Sequence, residues 1–266
     1  MTIRDTIVRF AADWKKYREY VSYTSRSELR AETVNTHLNW VWWIMEPFCL
    51  MLIYTFIFGY VFKSTEDYFP LFVMFGISMW RFFSMSVQSS STLIVSHRMI
   101  ISRIYIPKHM LLLVLMSRCG IKSLFSFMIV VVMMLIYRVP PSPEMLLVLP
   151  AILLLILITY GVCCFVMHIG VFVEDTSYVV GVVLTMLMYL TGIFWSVEDR
   201  LPGMFGVILS RGNPVTFAIN VARNGFLYGT NSFHWTFLVW VAVSIVIAVL
   251  GTRLVYQNEN TYAKVI

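Results

Sequence analysis

Six long apolar stretches, joined mostly by short loops, occupy most of the 266 residues. They run over Val41–Phe62, Phe69–Ser90, Leu111–Tyr137, Met145–Val171, Val179–Val197 and Trp235–Tyr256. A helix needs about 20 apolar residues to cross a hydrocarbon core about 30 Å thick, and most of these runs meet that length. The fifth is short and is expected to borrow residues from its flanks. A soluble domain would carry charged faces between such runs, whereas here 59% of the residues are hydrophobic and 13% charged. A membrane β-barrel would show segments of about 10 residues with alternating polarity. Runs such as Ala151–Thr159 are instead apolar on every side. The sequence thus predicts an all-α polytopic membrane protein with six transmembrane helices.

The net charge of +6 is first a topology signal. Seven of the 20 Lys and Arg lie in the first 40 residues. Arg98, Arg103 and Lys108 follow span two, and Arg253 and Lys264 lie near the C-terminus. With a cytosolic N-terminus, all of these fall on the cytosolic side, and only Lys63, Arg138, Arg200, Arg211 and Arg223 fall outside. That is the positive-inside bias, and it predicts cytosolic termini at both ends. The basic charge is spent on orientation, so no nucleic-acid partner is expected. The first 40 residues lack the apolar core of a secretory signal, so span one is expected to act as its own membrane signal. Cys49, Cys119, Cys163 and Cys164 lie inside predicted spans without metal-ligand spacing to a histidine, and read as small packing residues.

Residues 1–35 predict a cytosolic interfacial helix. Ile3, Ile7, Phe10, Trp14, Tyr17 and Val21 recur at steps of four and three, and Arg4, Arg9, Asp13, Lys16 and Arg18 occupy much of the rest. A basic amphipathic helix of this kind suits the membrane–water boundary. Spans one to five then fill 36–197, and 235–266 holds span six and a cytosolic tail. Between them, residues 198–234 carry seven Pro and Gly among apolar residues. Two pieces, near Leu201–Leu209 and Pro214–Tyr228, are too short to cross. They predict a re-entrant helical hairpin in the outer leaflet, where irregular backbone is tolerated only beside protein or water. The whole chain is expected to form a single transmembrane domain.

No G-x-x-x-x-G-K-[ST] phosphate loop exists, and the chain has no Gly-Lys dipeptide. The five histidines lack H-E-x-x-H spacing, and there is no G-x-S-x-G elbow. Neither catalysis nor a cofactor or metal held by this chain is expected. Charged residues inside the spans are the stronger lead, because each is costly there. At 1.5 Å per residue, Glu46 lies roughly 8 Å in from the cytosolic end of span one and Arg81 roughly 14 Å in on span two. Arg118 and Lys122 lie roughly 10 and 16 Å into span three. One reading is a Glu46–Arg81 pair with Arg118 and Lys122 snorkelling to the surface. The other is a basic pocket for an anionic, phosphate-bearing lipid head group. Aromatic residues cluster at Trp42 and Trp43, at Tyr54 and Phe58, and at Phe194 and Trp195. They read either as interfacial anchors and packing or as an aromatic-lined path that offers flat apolar faces to sugar rings.

Several strings together resemble the ABC-2 type permeases that export O-antigen, capsule and teichoic acid. Trp40–Pro47 with Ile53–Phe58 is similar to the family's W-x-x-x-x-P…Y-x-x-x-F segment. Phe75–Phe83 resembles its G-x-x-x-W-x-F-F, and Leu93…Met99–Lys108 its L-I-x-K-x-x-x-P-K. Thr191–Pro202 and Asn213-Pro214…Arg223…Tyr228-Gly229 resemble its closing outer motif. Glu174-Asp175 stands where the family often has Arg-Asp, and Thr36–Asn39 lacks the common Leu-Gly. The resemblance covers nearly the whole chain. It implies a homodimeric pore with two separate ABC ATPase subunits that bind ATP and Mg, in a bacterial inner or plasma membrane. The cargo it implies is a lipid-linked glycan moved outward. It also implies that the Ser91–Met110 loop, with His97, Arg98, Arg103, Pro107 and Lys108, seats in the ATPase beside Glu174 and Asp175. Asn213, Pro214 and Arg223 would narrow the outer exit. The alternative readings are an ABC-2 permease for a drug or lipid and a membrane-embedded transferase.

Overall fold

The computed structural model describes residues 2–34, 40–64, 66–196, 204–230 and 235–265. Every regular element among them is helical. Helix α1 (Ile3–Val34) precedes α2 (Val41–Tyr54), which continues through a π-helical stretch, Thr55–Val61. Next come α3 (Phe69–Ser90), two single-turn helices α4 (Leu93–Ser96) and α5 (Arg98–Ile101), and α6 (Lys108–Tyr137). A 3-10 turn, Pro143–Leu147, leads into α7 (Val148–Phe172), followed by α8 (Thr176–Leu190). The short helices α9 (Met204–Gly212) and α10 (Pro214–Arg223), with a second π-helical stretch Asn224–Tyr228, precede α11 (Trp235–Val265).

Among the described residues, five segments are long and apolar enough to cross a bilayer: Val41–Val61, Phe69–Ser90, Lys108–Tyr137, Pro143–Phe172 and Trp235–Tyr262. The fifth predicted span, Val179–Val197, appears as the 15-residue apolar helix α8, about 22 Å long at 1.5 Å per residue. That falls short of a full crossing. Its chain leaves the helical path at Thr191 and turns through Gly192, whose φ of 67° suits a residue without a Cβ. Within the segment predicted as a hairpin, the described residues form the short helices α9 and α10, and 198–203 and 231–234 lie outside the described residues, as does Thr36–Asn39.

The core forms around α3, which is buried at most of its positions and packs against α2, α6, α7, α8 and α10. Outside it, α11 lies along α7, and α1 packs on α6 and α11. The α7–α11 contact is close because small residues face each other, the arrangement that lets membrane helices pack backbone to backbone. A Cβ on Gly161 would meet Ile247 Cγ2 at 2.7 Å and the Ala248 nitrogen at 3.0 Å. A Cβ on Gly251 would meet Cys164 Cβ at 2.7 Å. Tyr160 and Thr252 share a hydrogen bond of 2.9 Å across the same seam. At the C-terminal end of α7, Gly170 lies so near the Ser91 carbonyl that no side chain fits there.

Helix α1 settles on the spans through a stripe different from the one the sequence spacing predicts. Thr6, Val21, Ser25 and Leu29 are buried, while Phe10 and Tyr17 pack part-buried against the core. Ile3, Ile7 and Trp14 keep about half of their surface open, at 51%, 52% and 45%. The apolar face is thus wide enough to meet protein on one side and leave an apolar edge free on the other.

The glycine seam makes a paired prediction. Gly161→Ala is expected to lower the unfolding temperature of the solubilised protein, at the cost of about 1–3 kcal/mol typical of overpacking. Gly120→Ala, whose new Cβ meets only Phe82 at 3.8 Å, should hold or raise it, since Gly inside a helix costs roughly 0.5–1 kcal/mol relative to Ala. Thermal unfolding followed by size-exclusion chromatography separates the two, and equal shifts would contradict the close approach at Gly161.

Candidate functional site

The charged residues inside the predicted spans fall into two groups. Arg81 on α3 pairs with Glu46 on α2, with Nη1 to Oε1 and Nη2 to Oε2 both at 2.8 Å. This bidentate fork is the strong form of an arginine–carboxylate pair. The side chains differ in access, since Arg81 is 15% exposed and Glu46 58%. The pair opens onto a cavity of about 310 Å³ that Tyr54, Trp80, Met188 and Phe194 also line. Arg118 and Lys122 on α6 point elsewhere. Arg118 bonds Glu28 at 3.1 Å and Glu32 at 3.3 Å, and Lys122 pairs with Glu32 as well. Both carboxylates belong to α1. The Lys122 ammonium also stands 5.8 Å from the Trp43 ring and within electrostatic reach of Glu46, so the two groups adjoin. Arg81 alone of the three predicted cations borders the cavity.

The predicted aromatic residues divide in the same way. Phe194 packs against Tyr54 with ring centroids 4.0 Å apart and stacks on Phe58 at 5.2 Å with planes 7° apart. The π-helical stretch after Tyr54 carries Phe58 against Phe194, and insertions of this kind are frequent at functional sites. Trp43 meets the edge of Phe125, at 5.4 Å, and Trp42 is exposed. Trp195 packs part-buried against the core. The aromatic residues that line the cavity are therefore Tyr54, Trp80 and Phe194, with Phe58 stacked on Phe194 outside the lining.

On the loop between α3 and α6, Arg98 and Arg103 are exposed among the exposed apolar residues Val95, Met99, Ile100, Ile104 and Tyr105. Glu174 and Asp175 are exposed on the short loop before α8. Pro107 caps α6, while Lys108 is buried and its Nζ donates to the Ile106 carbonyl at 3.2 Å. His97 faces inward, with Nε2 3.5 Å from the Glu28 carboxylate and Nδ1 2.9 Å from the Leu93 carbonyl. A second anchor sits at Glu259 of α11, whose carboxylate accepts from Arg9 Nη2 and the Tyr105 hydroxyl, each at 3.0 Å. The loop is thus tied to α1 at one end and to α11 at the other. Sequence reasoning missed Glu28, Glu32, Tyr105 and Glu259.

At the other end of the molecule, the Asn213 side chain accepts from the backbone N–H of Val215 at 3.0 Å and caps α10, with Pro214 at its first position. The buried Arg223 closes the helix. Its guanidinium donates to the carbonyls of Gly192 and Ile193 at 3.1 and 3.4 Å and lies over the Phe72 ring at 3.6 Å. It therefore clamps α10 onto the chain that leaves α8, and Gly76 of α3 gives it room.

A family model described as ABC-2 type transporter matches residues 29–227. The chain belongs to the ABC-2 type transporter family. It is an integral membrane protein. It is also similar to curated relatives along its length. One "O-antigen export system permease protein RfbA" from Klebsiella pneumoniae is 22% identical over 243 residues, covering 91% of this chain and 93% of the relative. A second from the same organism is 20% identical over the same coverage. A protein of that name from Myxococcus xanthus is 23% identical over 193 residues, covering 71% of this chain and 73% of the relative. Among the described residues no group of His, Cys, Asp and Glu could hold a metal ion.

The His97–Glu28 contact predicts a pH dependence. The hydrogen bond to Glu28 raises the His97 pKa above its ordinary 6.5 against the opposing effects of burial and of Arg118. The hydrogen bond from His97, aided by Arg118, holds the Glu28 carboxyl below its ordinary 4.5. The histidine contribution is complete below pH 6.5 and is lost as the pH rises through the raised value. The carboxylate contribution is present above its ordinary value and is lost as the pH falls through the lowered one. The attachment of α1 to the loop should therefore be firmest in mildly acidic solution. Amide exchange in α1 near Glu28 is expected to speed up between pH 6 and 9 after correction for intrinsic rates, and His97→Gln should flatten that trend. A trend unchanged in His97→Gln would rule out this pair as its source.

Proposed function

We propose that this ABC-2 permease is the membrane half of an ATP-driven exporter that moves a lipid-linked polysaccharide outward across the bacterial inner or plasma membrane. The observation that carries the reading is the end-to-end similarity to relatives named as O-antigen export permeases, which spans 91% of the chain. O-antigen, capsule and teichoic acid are the cargo class. The missing phosphate loop fits an energy source in two separate ABC ATPase subunits, which bind ATP and Mg. The exposed patch of apolar side chains around Arg98 and Arg103 has the composition of a protein-docking surface: apolar contact area with arginine among it. Glu174 and Asp175 stand ready beside it as a second, acidic contact.

In this reading α8 completes six crossings together with its flanks, both termini are cytosolic, and α1 lies at the inner membrane surface with Ile3, Ile7 and Trp14 toward lipid. A second copy faces α2 and α8, the two apolar helices that bury least of themselves in one chain. The Glu46–Arg81 cavity then opens toward the path between copies. An anionic head group arriving from the cytosol competes with Glu46 for Arg81. Glu46, 58% exposed against 15% for Arg81, is the partner free to turn toward water as the head group takes its place on the enclosed guanidinium. Arg118 and Lys122 would support the site by holding α1 against span three. The aromatic wall of Tyr54, Trp80 and Phe194, backed by Phe58, gives the following sugars apolar faces without fixed hydrogen bonds, which suits sliding. The α9–α10 hairpin, held by Arg223, narrows the outer exit.

The test is surface display of the polysaccharide in cells whose own copy is deleted, at equal protein abundance. The chain should restore display only together with its ATPase, and alone it should hydrolyse no ATP. Neutralising Arg81 as Arg81→Gln should reduce export by about tenfold or more, the scale of one lost charged hydrogen bond. Arg118→Gln and Lys122→Gln should cost less. Full display in all three variants would sink the head-group site, and ATP hydrolysis by the chain alone would sink the permease reading. Reversing the exposed arginines as Arg98→Glu with Arg103→Glu is expected to abolish co-purification of the ATPase while the permease stays monodisperse. Retained co-purification would move the docking surface elsewhere.

A further inference from the structure

Behind the outer hairpin lies a second cavity, of about 210 Å³, enclosed by Glu66, Phe72, Ser196, Asn220, Arg223 and Tyr228 among others. It is far larger than the roughly 10–15 Å³ that one water needs. Its walls are mostly polar, which is unusual next to apolar helices and outside what packing requires. Arg223 is only 2% exposed, and a guanidinium carries five N–H donors. Two carbonyls take up part of that capacity, yet among the described residues the buried Nε has no acceptor. Across the cavity, the Glu66 carboxylate accepts from the Tyr228 hydroxyl at 3.0 Å. Glu66 acts on Arg223 through its charge. Among the described residues, however, the two form no direct ion pair. A cation and a carboxylate therefore face each other with space between them.

That arrangement selects its occupant by charge. A phosphate or carboxylate would gain Arg223 and be repelled by Glu66, and an amine would meet the reverse. A neutral hydroxyl accepts from the guanidinium and donates to the carboxylate at once, because it carries both one donor and two lone pairs. Asn220 and Ser196 add further groups that donate and accept. We propose that this outer cavity is a binding subsite for one uncharged, hydroxyl-rich sugar residue. The cavity is also joined to the inner one through the backbone. Ile193 and Phe194 line the Arg81 cavity and Ser196 lines the outer one, while Arg223 grips the carbonyls of Gly192 and Ile193. A sugar bound outside thus touches the residue that holds the inner aromatic wall. The inference rests on the glycan-export reading for how a sugar comes to this place, while the chemistry of the cavity rests on its own residues.

The experiment is saturation-transfer NMR on the full chain in nanodiscs, with methyl α-mannoside, methyl α-glucoside and methyl α-rhamnoside as probes. Inorganic phosphate and choline serve as charged probes, read by line broadening. Saturation is expected to reach at least one glycoside above an empty-nanodisc control. Glu66→Gln, which keeps the shape and removes the charge, and Asn220→Ala should each reduce it by about tenfold, the effect of losing one hydrogen bond to a charged or buried partner. The unfolding temperature should stay at the parent value. If a variant unfolds, Tyr228→Phe, which deletes only a hydroxyl, takes its place with the same expected loss. No glycoside signal in the parent, or a signal indifferent to these variants, overturns the subsite and leaves the cavity to water. Binding of phosphate or choline in preference to the glycosides overturns it too. Export in cells without glycoside binding in nanodiscs would sink the subsite alone, and binding without export would sink the proposed function alone.

Discussion

An ionised side chain in an apolar layer is tolerated only with a partner, because its transfer from water costs many kcal/mol when unpaired. Arg81, Arg118 and Lys122 each meet that constraint with a carboxylate from a different helix. Arg81 binds α3 to α2 through Glu46. Arg118 and Lys122 bind α6 to α1 through Glu28 and Glu32. The pairings fix which helices stand side by side, something that apolar contact alone specifies weakly, since lipid tails are as apolar as leucine. The central position of α3 follows in part. It is the helix that must reach Glu46 with one face while its other faces meet α6 and α7.

Arg223 obeys the same constraint in another way. It has carbonyl oxygens and an aromatic face in place of a carboxylate partner at bonding distance. Those carbonyls follow the C-terminal end of α8, where unpaired C=O groups concentrate partial negative charge. A cation from α10 thus satisfies carbonyls of the irregular chain just past α8, and the left-handed Gly192 presents one of them. The clamp requires Gly76, since any side chain there would displace the guanidinium. Sequence-distant residues on three helices are thereby committed to one joint. It is the joint that separates the two cavities.

Much of this was legible in the sequence, and what was not has a physical cause. Helix ranges such as Phe69–Ser90 follow from apolar run length, a local property. Depth along a span was also readable, and it put Arg81, Arg118 and Lys122 in one layer of the membrane. It could not say which way each points, because azimuth around a helix depends on its neighbours. The signal that would have separated them was present. Glu28 and Glu32 stand four apart, as do Arg118 and Lys122, and matched spacing of opposite charges on two helices is what a double bridge needs. The predicted face of α1 failed in part for a similar reason. The spacing of Ile3, Ile7 and Trp14 marks an apolar stripe, but protein and lipid compete for such a stripe, and the spans took the edge that carries Thr6, Ser25 and Leu29. The outer cavity was the least legible. Asn220 and Tyr228 lie in the short apolar piece Pro214–Tyr228 and Glu66 in a distant loop, and nothing in the sequence shows that the three share one cavity.

The same contacts also bear on how force could travel in the proposed exporter. A loop that only touched its partner ATPase would move by itself, since α4 and α5 are single turns with little packing of their own. Here His97 holds that loop to Glu28, and Tyr105 meets Arg9 and Glu259 at its far end. Glu28 is in turn bound to Arg118 on span three, and Glu259 belongs to the helix that packs along α7. Displacing the loop therefore requires either breaking several charged hydrogen bonds at once or carrying α1, α6 and α11 along. Each such bond contributes about 1.5–3 kcal/mol, so losing several together costs more than a rigid tilt of helices whose outer faces meet only lipid. The N-terminal helix is then a strut that converts loop movement into span movement, and its amphipathic edge lets it slide along the membrane surface while it does so.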